Sequence, residues 1–106
     1  MQRPLDITFR GMAPSMAVET AIQAWMDRLE HAYGRIQGCS VVVEQPHLHH
    51  RRGNEFAIRV DVSVPGCELA VSRARATNAF VAVADAFRAA KRRLQGHAQR
   101  LQNHRA

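Results

Sequence analysis

The sequence predicts an α+β domain with the order β-α-β-β-β-α, a four-stranded mixed sheet with two helices packed on one face. Three observations carry this reading. Apolar residues alternate with polar ones in "LDITFR" and "EFAIRVDVSV", the period of half-buried strands, and "CSVVVE" and "CELAVSR" read as two more strands. Apolar residues recur at steps of three and four after Met16 and again after Asn78, the stripe of an amphipathic helix. A single helical crossover joins the first two strands, which makes them parallel and right-handed, whereas the later connections are hairpins.

In the first strand Leu5, Ile7 and Phe9 point one way and Asp6, Thr8 and Arg10 the other. "GMAPS" is a turn, and Ser15 is a suitable N-cap. The first helix, Met16 to Tyr33, has the stripe Val18, Ile22, Trp25, Met26, Leu29 and Tyr33. Its outer face, with Glu19, Gln23, Asp27, Glu30 and His31, is acidic on balance, and Gly34 suits the C-terminal cap. The third strand buries Phe56, Ile58, Val60, Val62 and Val64. Pro65–Gly66 turns the chain into a fourth strand with Leu69 and Val71 inward. Asn78 caps the last helix, whose stripe is Phe80, Val83, Phe87, Ala90, Leu94, Ala98 and Leu101. Gly96 is expected to interrupt it at a cost of about 1 kcal/mol. The 106 residues read as a single domain, 1–106, with an ordered core from about 4 to 101 and a frayed C-terminal end.

Several function classes drop out on composition. No run of about 18 apolar residues exists to span a membrane, and the N-terminus lacks the apolar stretch of a secretory signal, so a cytoplasmic protein is expected. Cys39 and Cys67 do not form a CxxC pair. The topology puts another strand between them, roughly 9–10 Å apart, too far for a disulfide. It also puts them a strand's length from the histidine-rich stretch "PHLHHRRGN", which excludes a joint Cys/His zinc site. His47, His49 and His50 alone lack a fourth ligand and sit beside Arg51 and Arg52, which repel a divalent cation, so no metal is expected. Glycine-rich phosphate loops, serine elbows and paired acids are absent, so neither an enzyme, a cofactor nor a small-molecule substrate is expected.

The charge is more informative. There are 15 basic and 9 acidic residues, a net +6. From Ala76 to Ala106 stand Arg88, Lys91, Arg92, Arg93, Arg100 and Arg105 against Asp85 alone, and six minus one leaves +5. At 100° per residue Arg88, Arg92, Arg93 and Arg100 fall on the outer half of the last helix, with Lys91 on its flank. The strand directions also bring Arg10, Arg51, Arg52, Arg73 and Arg75 to one end of the sheet. Such a surface is an electrostatic footprint for phosphate. In the 47–52 loop, histidine can stack on unpaired bases and arginine can bind phosphate bidentately. Binding would then strengthen modestly as these histidines protonate.

"ITFRGMAPS", "VVVEQPHLHHRRGN", "VDVSVPGCELAVSR" and "AFVAVADAFRAAKRRLQ", in this order and spacing, resemble the ribosome hibernation-promoting factors and ribosome-associated inhibitor proteins, also called sigma-54 modulation proteins. The resemblance implies a fold similar to double-stranded-RNA-binding domains. It also implies binding to 16S rRNA in the decoding channel of the small ribosomal subunit, where mRNA and tRNA are occluded. By position it carries the family's basic second helix over to Arg88, Lys91, Arg92 and Arg93. Many relatives begin this helix with Asp and a nearby Tyr; here stand Asn78 and Phe80, which keep the cap and lose a hydroxyl. The domain with which long-form members dimerise ribosomes is not seen in this sequence, so pairing of ribosomes through it is not expected. The polar outer sheet face favours a monomer. The alternative reading is a general structured-RNA-binding module resembling a double-stranded-RNA-binding domain.

Overall fold

The structure, a computed structural model, describes residues 5–46, 55–65 and 67–105, with side chains at 67–70, 98 and 100–105 outside that description. The elements are β1 (Leu5–Arg10), α1 (Met16–Ala32), β2 (Gly38–Glu44), β3 (Phe56–Val64), β4 (Cys67–Ala76) and α2 (Ala79–Arg105). The sheet runs β1-β2-β3-β4, parallel between β1 and β2 and antiparallel thereafter. The α+β fold expected from the sequence is the one observed.

Both helices end in local hydrogen bonds that their sequences supply. The Ser15 hydroxyl accepts from the Val18 N–H at 3.2 Å. The Asn78 side-chain oxygen accepts from the N–H groups of Phe80 at 2.8 Å and Val81 at 3.3 Å, two of the donors that a helix start leaves orphaned. At the far end of α1 the cap is Tyr33, in extended backbone with its N–H bonded to Leu29, and not Gly34. The positive φ of the preceding turn belongs to Gly11, at 69°, which lets the chain reverse between β1 and α1.

The core lies between the sheet and the two helices. Val18, Ile22, Met26 and Leu29 of α1 meet Val41, Val43, Ile58, Val60 and Val62 of the central strands. From α2 come Val83, Phe87 and Leu94, with Ala82, Ala86 and Ala90 between them. Alanine at these steps of four brings the α2 backbone close to the sheet while the three large side chains fill the remaining space. Phe80 departs from the expected stripe: it is 48% exposed, and Ala79 and Ala82 hold the buried positions of the first turn. Gly96 does not break α2, which continues as helix to Arg105. There the ring of His97 lies 3.3 Å from the Pro65 carbonyl, tying the helix to the β3–β4 turn.

The largest correction concerns β4. Val64 pairs with Cys67, but Val62 pairs with Ala70, so β4 carries one extra residue in a bulge. An unbroken hairpin would have set Val62 opposite Leu69 and Val60 opposite Val71, as their apolarity suggests. It would also have turned Arg73 and Arg75 toward the helices, because one slip flips every side chain. The bulge instead sets Ser72, Ala74 and Ala76 on the inner face, across from Val60, Ile58 and Phe56. Val71 goes outward, opposite Asp61, and is half-buried. The Leu69 side chain lies outside the described residues. Burying two guanidiniums costs far more than exposing part of a valine, which is why the arginines decide the register.

Candidate nucleic-acid interface

The clearest basic surface is the outer side of α2. With Val83, Ala86, Phe87, Ala90 and Leu94 buried, helical geometry turns Arg88, Lys91 and Arg92 outward, and Arg93, also exposed, stands on the flank toward β4. Asp85 is the one acidic side chain of the helix, and it lies 3.5 Å from an Arg88 nitrogen. Four cations less one carboxylate leave this face at +3.

Beneath its first turns is a seam between the helices. The Trp25 ring of α1 stacks on Phe87 of α2, with centroids 6.4 Å apart and planes 20° apart. Two guanidiniums lie over the Trp25 ring: Arg28 at 4.7 Å and Arg88 at 5.3 Å from its centroid. Each such contact contributes roughly 0.5–1 kcal/mol at an exposed site. It also restricts two long side chains, which lowers the entropy lost when they bind something. Arg28 was missed in the sequence because α1 looks acidic as a whole. The signal was its spacing: Arg28 stands three residues after Trp25, so the two are neighbours on one helix face. Arg28 therefore extends the basic surface of α2 across the seam.

The outer sheet face is ordered differently. Register lines up Arg10, Glu44, Ala57 and Arg75 in one row, Thr8, Val42, Arg59 and Arg73 in the next, and Asp6, Ser40, Asp61 and Val71 in a third. Arg10, Arg73 and Arg75 do come to one end, around a concavity of about 480 Å³ that Glu44, Arg59 and Asp61 also line. The carboxylates are interleaved with the cations. Arg59 donates from Nε to Asp61 at 2.9 Å, and this bond raises its already high pKa. An Arg75 nitrogen lies 3.9 Å from Glu55. Arg73 has no carboxylate partner among the described residues, and it shares a second groove with Arg93 of α2 at the β4 edge. His47, His49, His50, Arg51 and Arg52 lie outside the described residues, as does the Arg100 side chain.

The chain matches the family model of the sigma 54 modulation protein / S30EA ribosomal protein over residues 5–102. That span is nearly all of the sequence. The chain belongs to the sigma 54 modulation / S30EA family. Two solved structures share the S30EA fold with it. A ribosomal subunit interface protein from Coxiella burnetii superposes with a TM-score of 0.77 at 13% identity, over 90% of this chain and 97% of that one. The N-terminal domain of Thermus thermophilus Protein Y gives 0.76, also at 13%, over 91% and 99%. A search of curated protein sequences gives no match. The S30EA family is one of ribosome-associated factors, and it is not a known family of enzymes.

Within this S30EA chain the remaining chemistry-bearing groups are inert or scattered. Cys39 is buried, and its thiol is pushed up to about 12, first by burial and then by the negative charges of Asp61 and Glu30. A thiol so placed stays protonated at neutral pH, which makes it a poor nucleophile. Its strand neighbour across β3, Cys67, pairs with Val64 while Cys39 pairs with Val62, so β3 separates the two as expected. Among the described residues no three of His, Cys, Asp and Glu converge as a metal site, and no helix is long and apolar enough to cross a membrane.

Proposed function

We propose that this chain is a translation inhibitor, a hibernation factor that binds 16S rRNA of the small ribosomal subunit in the decoding channel and occludes mRNA and tRNA. Family membership supports ribosome association. The observation that carries the rRNA reading is the exposed row Arg88, Lys91, Arg92 and Arg93, four cations with a single carboxylate and a stacked aromatic seam beneath them. Arginine forks suit phosphate oxygens, and the 27-residue helix holds these four within about 7.5 Å along its rigid axis. The mechanism is steric: the bound domain fills space that the ligands of translation need. It requires no catalytic step and no cofactor, and in this proposal the free protein is a cytoplasmic monomer. Arg10, Arg73, Arg75 and the 47–52 loop, with Arg51 and Arg52, are secondary contacts in this proposal, and Arg100 extends the helix face.

Sedimentation through a gradient with purified small subunits tests it. The protein is expected in the subunit fraction at low salt and is expected to leave it as salt rises, because phosphate contacts release counterions. Protein that stays at the top at low salt sinks the proposal. Competition with a free RNA duplex then measures specificity. A general duplex binder is stripped from the subunit, whereas a protein fitted to the channel is retained.

A further inference from the structure

The β4 edge of the sheet holds a feature that the helix face does not explain. β4 is an edge strand, with β3 on one side and, among the described residues, no strand on the other. Between it and α2 runs a groove of about 540 Å³ lined by Arg59, Val71, Ser72, Arg73, Ala89 and Arg93. Ser72 is 3% exposed, and its hydroxyl has no hydrogen-bond partner among the described residues. Buried hydroxyls are nearly always satisfied, since leaving one unmade costs the fold its full desolvation. Small apolar residues occupy the neighbouring inner positions of β4, Ala74 and Ala76, so an alanine at 72 would fit the same pattern without that cost. Arg59 and Arg73 also stand directly opposite each other across the two strands, an arrangement of like charges that works against pairing. Asp61 engages Arg59. Arg73 is left with Arg93 across the groove and no anion between them among the described residues.

We propose that this groove is a phosphate site, in which Arg73 and Arg93 hold a phosphate group from two sides and the Ser72 hydroxyl donates to one of its oxygens. An unpaired buried donor and two unneutralised guanidiniums are together the complement of a phosphate: one hydrogen bond and two charge-assisted contacts. Alanine at position 89 leaves the groove open at its helix wall. The site rests on the proposed rRNA function in its choice of source, a phosphodiester of the RNA backbone. It means that a strand lying on the outer side of α2 bends around the β4 edge toward the concavity of the sheet. A free phosphate-bearing ligand shares this chemistry and is the other source.

Two measurements decide between them. The first is the affinity of Ser72→Ala and Arg73→Ala for purified small subunits. Ser72→Ala is expected to bind about threefold more weakly although its melting temperature does not fall. Arg73→Ala is expected to lose five- to tenfold, with the salt slope reduced by about one, the signature of one phosphate contact. The second is titration of the free protein with pyrophosphate at constant ionic strength, following the backbone amide resonances of Ser72, Arg73, Ala89 and Arg93. Weakened subunit binding in both variants supports the groove with RNA as the source. Native subunit binding in both, joined to saturable pyrophosphate shifts that Arg73→Ala abolishes, supports it with a free ligand as the source. Native subunit binding together with no saturable shift overturns it, and the helix-face function would still stand. Should the native protein itself fail to sediment with subunits, the function proposal falls and the pyrophosphate titration alone decides the groove.

Discussion

On the outer face of α2, Arg88, Lys91, Arg92 and Arg93 share one carboxylate, Asp85. On the outer face of the sheet, Arg10, Arg59, Arg73 and Arg75 are interleaved with Asp6, Glu44 and Asp61 and flanked by Glu55. Each face has four cations, yet four less one is +3 and four less four is zero. The difference lies in how the two kinds of element gather charge. A helix collects residues three and four apart from a single segment, so one basic stretch becomes one basic stripe. A sheet row collects one residue from each strand, so its charge is set by register across distant segments. A paired guanidinium must leave its carboxylate before it can hold a phosphate. The α2 face is thus ready to bind, and on the sheet only Arg10 and Arg73 are comparably free among the described residues.

The α2 face depends on the seam beneath it, and the largest expected effect comes from removing that support. Phe87 is buried and carries the stacked Trp25 ring that Arg28 and Arg88 lie over. Phe87→Ala is expected to cost about 3–5 kcal/mol of stability, read from chemical denaturation. A loss below about 1 kcal/mol would mean that the seam does not hold α2 in place.

Next in size is the direct comparison of the faces. Arg88→Ala, Arg92→Ala and Arg93→Ala combined should leave the fold intact, lower small-subunit affinity at least tenfold and flatten its salt dependence. Arg59→Ala with Arg75→Ala, which removes the two carboxylate-paired arginines of the sheet, should lower affinity less than threefold. Equal losses from the two sets would break the distinction between ready and paired cations.

How much of this was legible in the sequence depends on the range of the physics. The helix stripe of Val83, Phe87, Ala90 and Leu94 and the exposure of Arg88 and Arg92 follow from 100° steps within one segment, and the structure has both. The caps at Ser15 and Asn78 are equally local. Val71 was misassigned because apolarity alone was read, whereas the bulge between Val62 and Val64 is a compromise among three elements. Phe80 was misassigned for a related reason: at the first turn, small alanines pack closer to the sheet than a ring can. The orphan Ser72 hydroxyl is not visible without the register, whereas the Arg59–Asp61 bond and the Arg28 contact needed attention to single pairs spaced by two and by three.

The cap at Asn78 sets the position of the whole α2 face at its start. Asn78→Ala removes the acceptor for two backbone N–H groups and is expected to cost about 1 kcal/mol. Thermal unfolding measures it. Asn78→Asp should restore the loss, which separates the cap from any contact made by the side chain elsewhere.

The smallest expected effect is also the finest test of the contrast between the faces. Asp85 lies 3.5 Å from Arg88, and both side chains are at least half exposed. A pair of this kind contributes little to stability, about 0–1 kcal/mol before screening by salt. Asp85→Asn should therefore leave the unfolding free energy almost unchanged. It should still free Arg88 and raise the α2 face from +3 to +4, so small-subunit affinity is expected to rise about twofold at low salt and to converge on the native value as salt screens the added charge. Asp61→Asn makes the same change of one charge on the sheet. There the amide oxygen that replaces the carboxylate can still accept the 2.9 Å bond, so Arg59 keeps its partner and only the charge changes. Affinity is expected to stay within the error of the native value. An increase from Asp61→Asn as large as that from Asp85→Asn would mean that RNA reads the net charge of the domain and not the arrangement of either face.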